Sequence, residues 1–401
     1  MTFTRREFGK LALASVPGAA LYDAPFFGAG LVQARPNSLI NGVQIGAITY
    51  SYRQMPDQSA EATLKYVVES GISAIELMGG PVESFAGAPG GRGGGAGGGG
   101  GGGRGAGGGR GAAGGGRGAG GAGARGTEPP VLPEGATMGS WNGTTCVIPA
   151  PGGAGAGGGR GGRGQAELTP EQQATRAQQQ AAQQEQAENL RAWRTSVSMD
   201  SFKQLRKMYN DAGVSIYAWK QLTPNMSDEE FEYMFNVAEA LGCTHTTLEL
   251  PTGADAAAQL KRVGDFAMKK KIYAAYHTHT QGSMTVFDEA FAVSKGNMAN
   301  VDLGHYVAGG NVGGTTLQFL EKFHDRISSV HLKDRTTPEH CALNLPWGTG
   351  ETPIKQILQL VKKNKWKIPA SVEMEYAVPE GSDPVKEVRK CVEYCRAALS
   401  T

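Results

Sequence analysis

Short apolar runs alternate with segments of helical periodicity along most of the chain. Eight runs are short, rich in β-branched and aromatic residues and bounded by turn residues, which is the pattern of β-strands. They lie at Val43–Tyr50, Ser73–Met78, Val214–Trp219, Thr244–Leu250, Ile272–His277, Asn300–Leu303, Ile327–Leu332 and Ala370–Glu375. Apolar residues at helical spacing occupy Ser59–Ser70, Ser227–Leu241, Ala256–Lys270, Thr315–His324, Ile354–Asn364 and Asp383–Leu399. This alternation predicts an α/β fold in which eight parallel strands close into a (β/α)8 TIM barrel.

One interval is much longer than the others, because residues 79–213 separate the second and third runs. Its Gly-, Ala- and Arg-rich parts, residues 87–125 and 152–164, cannot bury enough apolar surface to offset the entropy of ordering them. We therefore expect a long disordered insertion between strand 2 and strand 3. The predicted organisation is a single barrel domain, residues 40–401, interrupted by a low-complexity insertion at residues 87–190.

Two parts of this insertion have a different composition. Residues 138–148 include Met138, Trp141 and Cys146, and we hypothesise that this island docks on the barrel mouth. Residues 167–190 are rich in Gln, Ala and Glu, which predicts a surface helix of marginal stability. A helix is also predicted after it, over 198–212.

Charge and composition exclude several classes of partner. The 401 residues carry a formal net charge of +2, which is too small to indicate a nucleic-acid or acidic partner. The Gly/Arg repeats lack the aromatic residues that stack on single-stranded nucleic acid. We therefore expect no nucleic-acid partner, while the oligomeric state stays open.

The N-terminus resembles a twin-arginine export signal. It contains the sequence TRREFGK at residues 4–10, followed by a modest apolar stretch at residues 11–21 that is too short to span a bilayer. The alternative is an ordinary basic helix start. We expect a signal peptide over residues 1–34, cleaved after Ala34, no stable membrane anchor, and a periplasmic or otherwise exported mature protein.

The chain has five cysteines, an odd number, and none of them forms a CxxC pair. They are Cys146, Cys243, Cys341, Cys391 and Cys395. We expect them to be small buried apolar residues. A disulfide is possible in an oxidising compartment, but the spacing alone does not assign one.

Acids and histidines stand at the ends of the last four predicted strands. Because the carboxyl ends of parallel strands meet at one mouth of a barrel, these side chains are expected to converge. The residues are His277, His279, Asp302, His305, His331, Glu373 and Glu375. A lone histidine at a strand end is more often a structural polar residue, but four successive strand ends favour a metal site. Mixed nitrogen and oxygen ligands suit Mn, Zn, Fe or Co better than Ca.

Several motifs in this half of the chain resemble the xylose-isomerase-like barrel superfamily, and within it the sugar phosphate isomerases and epimerases. The motifs are Asp302-x-x-His305, His331-Leu-Lys333-Asp334, the final-strand Glu373 and Trp347-Gly-Thr-Gly350. The resemblance covers roughly Gln44–Gly80 and Val214–Ala398. It implies that one divalent ion (Mn, Zn, Co or Fe) is held by His277, Asp302, His331 and Glu373.

The chain departs from the sugar epimerases of this group at His277, where they have a glutamate. In them that glutamate and the final glutamate form the acid–base pair. Glu249 is one replacement for the missing carboxylate, and the alternative is a structural acid or a substrate hydrogen-bond acceptor. The resemblance implies proton abstraction next to a carbonyl through a metal-stabilised enediolate, with Glu373, Glu249 or neutral His279 as the base.

Further residues are expected to contact the substrate. They are His305, Lys333, Arg335, Trp219 and Trp347. A surface salt-bridge role is the alternative for Arg335, and core packing is the alternative for both tryptophans. The first strands lack the extra histidine ligands of the family members that cleave DNA, so endonuclease activity is disfavoured.

Together these patterns predict an exported, metal-dependent isomerase or epimerase whose substrate is a small carbohydrate. One alternative from the same chemistry is a metal-dependent lyase or deglycosidase that acts on 3-keto glycosides. Another is a non-catalytic sugar-binding barrel. The fold alone does not separate the three.

Overall fold

Eight parallel strands close into a barrel, which confirms the predicted TIM-barrel fold. The structure is a computed structural model and describes residues 35–90, 135–148 and 169–401. The barrel strands, numbered β1 to β8, are Val43–Ile48, Ala74–Met78, Ser215–Lys220, His245–Glu249, Tyr273–His277, Asn297–Asp302, Ile327–Leu332 and Ala370–Val372. Each strand pairs with the next along the chain, and β8 pairs with β1 to close the barrel.

Helices surround the barrel and begin where the sequence supplies capping residues. They are Ala60–Glu69, Gly79–Phe85, Pro170–Ser196, Asp200–Asp211, Asp228–Leu241, Ala256–Lys270, Asp288–Val293, Leu303–Ala308, Thr316–Phe323, Ile354–Asn364 and Pro384–Leu399. Ser227 and Thr315 each form a capping box, in which the cap side chain and the residue three positions later satisfy free backbone N–H groups. In the described part of the chain, no helix is long and apolar enough to cross a bilayer.

The expected export signal at residues 1–34 and most of the Gly/Arg-rich tract lie outside the described residues. Within the insertion, the helix Pro170–Ser196 begins at a capping box formed by Thr169. Its last turn is attached to the barrel by Arg194, which donates to Glu83 at 2.8 Å and to Glu230 at 3.2 Å. All three side chains are buried, so this ion-pair group fixes the C-terminal end of the helix.

The island 138–148 lies within a β-hairpin, which we call the insertion hairpin. Its strands are Thr137–Trp141 and Thr144–Ile148, and they turn at Asn142 and Gly143, both with positive φ. Such a two-residue turn matches the twist of a hairpin. The ring centroids of Trp141 and His340 are 4.8 Å apart, so the hairpin contacts the loop that follows β7 at the barrel mouth.

A disulfide between Cys146 and Cys341 ties the insertion hairpin to this loop. The expectation of five buried thiols was therefore wrong for these two residues. It holds for Cys243, Cys391 and Cys395, which are free and buried. The cross-linked cysteines are 195 residues apart in sequence, so only the docked hairpin brings them together.

Candidate active site at the barrel mouth

Four buried side chains converge where β5 to β8 end, as the strand-end pattern predicts. His277 and Asp302 are the last residues of β5 and β6, His331 lies near the end of β7, and Glu373 follows β8. One ligand atom from each lies within 4.8 Å of the others. We call these four residues the ligand cluster. A second group, formed by His279 and His305 with the shared His277, meets the same distance limit, but two of its members are partly exposed.

His331 is held between two carboxylates inside the barrel. Its Nδ1 lies 2.8 Å from Oε2 of Glu373, and its Nε2 lies 2.7 Å from Oε2 of Glu76. Burial alone would lower the pKa of His331, but the charges of Glu76 and Glu373 outweigh it and raise the pKa to about 10. Without a metal ion, His331 is therefore an imidazolium that donates to both carboxylates.

Glu76 was not among the residues expected at the site. It lies on β2, fully buried, and also accepts from Oγ1 of Thr247 at 2.6 Å and from Nδ2 of Asn300 at 3.0 Å. Burial raises its pKa, but the charge and hydrogen bond of His331 outweigh this effect and lower the pKa to about 2. The sequence signal was a carboxylate inside the apolar run Ala-Ile-Glu-Leu-Met, because a buried acid needs a partner.

Lys333 is enclosed by three carboxylates rather than directed at a ligand. Its Nζ lies 2.9 Å from Oδ2 of Asp302, 3.1 Å from Oε2 of Glu373 and 2.6 Å from Oε2 of Glu375. Burial would lower the pKa of Lys333, but these carboxylates raise it, so the ammonium group stays charged. The expected substrate-binding role does not fit, because the side chain is buried and its charge is taken up by protein partners.

His305 and Arg335 form the next layer at the mouth. The backbone N–H of His305 donates to Oδ1 of Asp302 at 2.8 Å, where Asp302 caps the helix Leu303–Ala308. Nδ1 of His305 is in hydrogen-bond contact with Nη1 of Arg335, and its Nε2 lies 3.1 Å from Nζ of Lys333. Asp302 is thus oriented by its own helix cap, and its Oδ2 is left to face the ligand cluster.

Glu249 and His279 flank the ligand cluster on the side of β4 and β5. The side chain of Glu249 is 53% exposed, and its Oε1 lies 2.8 Å from Nζ of Lys220 at the end of β3. Nε2 of His279 lies 3.8 Å from Oε2 of Glu249, and its ring centroid is 5.0 Å from that of His277. Two titratable groups thus stand beside the cluster and remain accessible from the mouth.

Two ligand-cluster atoms are available to coordinate a divalent ion. Nδ1 of His277 and Oδ2 of Asp302 are buried and have no hydrogen-bond partner. Nζ of Lys333 makes a charge contact with Oδ2 of Asp302, at an angle that does not form a hydrogen bond. Burial lowers the pKa of His277 and raises that of Asp302 to about 7. Buried lone pairs without partners are unfavourable, and two imidazoles with two carboxylates are a suitable set for Mn, Zn, Fe or Co.

Comparison with known proteins identifies the family. A family model described as the xylose isomerase-like TIM barrel matches residues 183–397, which is more than half of the chain. This protein belongs to the xylose isomerase-like TIM barrel family. No curated protein gives a significant match.

Solved structures of the same fold include several sugar isomerases and epimerases. A sugar phosphate isomerase/epimerase from Parabacteroides distasonis is 14% identical, with 89% of this chain and 96% of that chain covered and a TM-score of 0.47. An L-ribulose 3-epimerase is 10% identical, with 89% and 95% covered and a TM-score of 0.46. A 3-keto-D-glucoside 4-epimerase from E. coli is 11% identical, with 50% and 85% covered and a TM-score of 0.38. At these identities the likeness concerns the fold.

The aspartate of the His-Leu-Lys-Asp motif organises the loop of this xylose isomerase-like barrel that leads to the helix Ile354–Asn364. Oδ2 of Asp334 accepts from the backbone N–H groups of Gly348 at 2.7 Å and Gly350 at 2.9 Å. A Cβ on Gly350 would lie 2.3 Å from Oδ1 of Asp334, so this position requires glycine. Hydrogen bonds therefore join these two motifs of the resemblance, and the role of Asp334 in them is structural.

The two tryptophans expected to stack on a sugar differ in their burial. Trp219 is fully buried and packs against Tyr233, with ring centroids 6.5 Å apart. Trp347 packs edge-on against Tyr394 of the C-terminal helix, at 5.8 Å. Sugar stacking needs a ring face open to the mouth, so the core-packing alternative fits the fully buried Trp219, whereas the stacking role of the half-buried Trp347 stays a prediction.

Proposed function

We propose that this xylose isomerase-like barrel is an exported, metal-dependent isomerase or epimerase of a sugar or sugar derivative. The observation that carries the proposal is the buried ligand cluster, in which Nδ1 of His277 and Oδ2 of Asp302 take part in no hydrogen bond. His277, Asp302, His331 and Glu373 would hold the ion. A divalent ion bound there would act as a Lewis acid that acidifies a C–H group next to a substrate carbonyl.

Glu76 prepares His331 for this role. Because Glu76 is ionised, it accepts the Nε2 proton of His331 and fixes which ring nitrogen keeps its hydrogen. The opposite nitrogen, Nδ1, then faces Glu373 and the ligand cluster. A carboxylate behind a histidine ligand raises the basicity of the ligand and fixes its orientation.

The acid–base groups stand on opposite sides of the barrel mouth. Glu249 is the last residue of β4 and Glu373 follows β8, and these strands are diametrically opposed in an eight-stranded barrel. A substrate bound between them has a carboxylate near each face of the reacting carbon. Removal of the proton on one side and return on the other gives epimerisation, whereas return to the neighbouring carbon gives isomerisation. His279, beside Glu249, is the remaining base candidate.

Export is part of the proposal. The N-terminal TRREFGK sequence supports it, and so does the disulfide between Cys146 and Cys341, because disulfides persist in oxidising compartments. The twin-arginine route carries folded proteins, so the ion would be inserted before export. A phosphosugar is a poor substrate outside the cytoplasm, which favours an unphosphorylated sugar derivative.

Solvent deuterium exchange tests the enzymatic proposal. The metal-loaded protein is incubated with keto-sugars and glycosides in deuterated water, and recovered sugars are analysed for deuterium on carbon. We expect incorporation, and a loss of at least about 100-fold in Glu249→Gln or Glu373→Gln. Full turnover in both variants would contradict the assigned bases. Sugar binding without exchange would instead indicate a non-catalytic sugar-binding barrel.

A lyase acting on 3-keto glycosides is the second candidate. His277 occupies the position where sugar epimerases of this group have a carboxylate, which weakens the case for a two-glutamate epimerase. Elimination needs one base to remove the proton and a donor for the departing β-substituent, a role that the half-exposed His279 can fill. Release of a free aglycone from a 3-keto glycoside, rather than recovery of a deuterated epimer, would identify this activity.

A further inference from the structure

Three lysine or arginine side chains are buried in the part of the chain that the structure describes, and one of them lacks an anionic partner. Arg194 pairs with Glu83 and Glu230, and Lys333 pairs with three carboxylates. Arg335 is only 8% exposed, yet among the described residues no carboxylate oxygen lies within 4.0 Å of its guanidinium. A buried charge without a direct ion pair is costly, and the three carboxylates that act on Arg335 from farther away are the ones that pair with Lys333. This points to a partner supplied from outside the protein.

The contacts of Arg335 leave part of its guanidinium free. Nη1 contacts Nδ1 of His305, and Nη2 donates to the backbone carbonyl of Ala342. Nε is buried and has no hydrogen-bond partner. Nε and Nη2 lie on one edge of the planar group, and that edge is the one that matches a carboxylate with two parallel hydrogen bonds.

His305 cannot satisfy both cations that contact it. An imidazole has at most one acceptor nitrogen, whichever tautomer it adopts. Yet Nζ of Lys333 lies 3.1 Å from Nε2, while Arg335 contacts Nδ1. Lys333 has carboxylates for its protons, whereas Arg335 has only this shared ring and one carbonyl. At this corner of the mouth, Arg335 is therefore the cation that lacks hydrogen-bond acceptors.

We infer that Arg335 binds a carboxylate of the substrate, so that the substrate class is sugar acids rather than neutral sugars. This inference rests on the proposed function, since it assigns the substrate of the same site. The His305 ring in contact with Arg335 lies 6.3 Å, centroid to centroid, from the ring of His277. A sugar acid can therefore extend from the ligand cluster across His305 and end at Arg335.

A carboxylate fits this corner better than a phosphate does. A phosphate dianion is usually bound by several donors or cations. Here Lys333 is occupied by Asp302, Glu373 and Glu375, which leaves Arg335 as the one cation without a carboxylate among the buried lysine and arginine side chains of the described residues. One guanidinium edge matches one planar carboxylate in charge and in shape.

Ligand binding to the metal-loaded full-length protein tests the inference. The probes are D-glucuronate, D-glucose and D-glucose 6-phosphate, with D-galacturonate and D-galactose as a second matched pair, measured by calorimetry. We expect each sugar acid to bind at least about 10-fold more tightly than its neutral counterpart. Arg335→Gln should abolish this preference, and Arg335→Lys should keep part of it. Thermal denaturation of both variants checks that they fold.

Arg326→Gln is the matched control. Arg326 also has an unpaired Nε and donates to two backbone carbonyls, those of Ser294 and Asn297, but it lies at the opposite end of β7. This variant should retain the preference for the acid. Retention of the preference in Arg335→Gln, or its loss in Arg326→Gln, would overturn the inference.

The other results of the binding and exchange experiments separate the substrate class from the proposed function. Equal or weaker binding of the acids would overturn the inference, and so would tighter binding of D-glucose 6-phosphate than of D-glucuronate. Deuterium exchange into neutral sugars without a preference for acids would leave the proposed function intact and remove only the substrate class. A preference for acids that depends on Arg335, without deuterium exchange in any sugar, would support sugar acids as the bound ligands and contradict the proposed catalytic function.

Discussion

Nε2 of His331 and Oε2 of Glu76 lie 2.7 Å apart and join β7 to β2 through the barrel interior. These strands are not neighbours in the sheet, so the contact exists only because the barrel closes. It places an ionised carboxylate behind one member of the ligand cluster. The geometry of the cluster thus depends on a residue that is not itself one of the four.

Replacing Glu76 with Gln should weaken metal binding without removing a ligand. The neutral amide no longer fixes the hydrogen on Nε2 of His331, and we expect metal affinity to fall by about 10- to 100-fold. Titration with Zn²⁺ or Mn²⁺ measures the effect. Glu83→Gln is the control, because Glu83 is also buried after β2 but pairs with Arg194. Unchanged affinity in Glu76→Gln would show that Glu76 does not orient the ligand.

Removing two ligands should remove the ion. We expect elemental analysis to find about one Mn, Zn, Fe or Co per chain in the purified protein, and none in the Asp302→Ala/His331→Ala double variant. His324→Ala, which removes an exposed histidine away from the mouth, should keep the metal content of the unaltered protein. Absence of metal from the unaltered protein, even after reconstitution, would contradict the proposed chemistry and favour a sugar-binding role.

The stability of the metal-free protein should fall as the pH rises above neutrality. The folded state raises the pKa of His331 from 6.5 to about 10, so this contribution to stability is complete below about pH 6.5 and is lost as the pH approaches 10. Asp302, with a pKa raised from 3.8 to about 7, changes stability in the same direction at lower pH. Thermal denaturation between pH 7 and pH 10 measures the trend, which His331→Gln should flatten.

Metal binding should release protons for the same reason. His331 must lose its Nδ1 proton to become a ligand, so we expect about one proton to be released per ion at pH 7.5, and metal affinity to increase with pH. Calorimetry in buffers of different ionisation enthalpy counts the protons. The Glu76→Gln variant should release fewer, because its His331 is less strongly protonated before the ion binds. Affinity that is independent of pH would argue against His331 as a ligand.

Reduction of the disulfide between Cys146 and Cys341 should destabilise the protein and loosen the insertion hairpin. We expect a reductant to lower the free energy of unfolding by about 2–4 kcal/mol. It should also increase amide exchange in the hairpin and in the loop after β7. The Cys146→Ser/Cys341→Ser variant should already show these changes and should not respond to the reductant. A full response in that variant would show that the effect does not come from this disulfide.

Breaking the buried ion pairs of Arg194 should lower the free energy of unfolding far more than breaking the exposed ion pair beside them. Arg194→Met leaves Glu83 and Glu230 buried without the Arg194 cation. We expect the free energy of unfolding to fall by about 3–5 kcal/mol. Arg191 also contacts Glu230, but its side chain is 59% exposed, so Arg191→Gln should cost less than about 1 kcal/mol. Chemical denaturation compares the two. Similar losses in both variants would show that burial does not set the difference.

The barrel and the convergence of the last four strand ends were predictable because both follow from local patterns. Alternating runs specify strands and helices, and parallel strands aim their ends at one mouth. Glu76 was missed because its importance depends on which face of β2 turns inward, and barrel closure decides that. The choice between substrate contact and core packing stayed open for Trp219 for the same reason, since one aromatic residue at a strand end gives no sign of the face it occupies.

The disulfide could not be derived from the sequence, because 195 residues separate Cys146 from Cys341 and their distance depends on how the insertion hairpin docks. The role of Lys333 could not be predicted from the sequence either. Its position beside the ligand cluster followed from the motif, but its enclosure by three carboxylates depends on side-chain directions on β6, β7 and β8.

The ligand cluster comes from β5 to β8, whereas the Glu76 carboxylate and the Lys220 ammonium come from β2 and β3. The second half of the barrel therefore supplies the four candidate ligands, and the first half supplies charged residues that contact or flank them. An isolated second half would carry every ligand but would lack the carboxylate that orients one of them. If half-barrels were exchanged between relatives, the second half would bring the coordinating atoms but not the carboxylate that orients His331. A functional chimera would therefore need Glu76 or its equivalent from the first half.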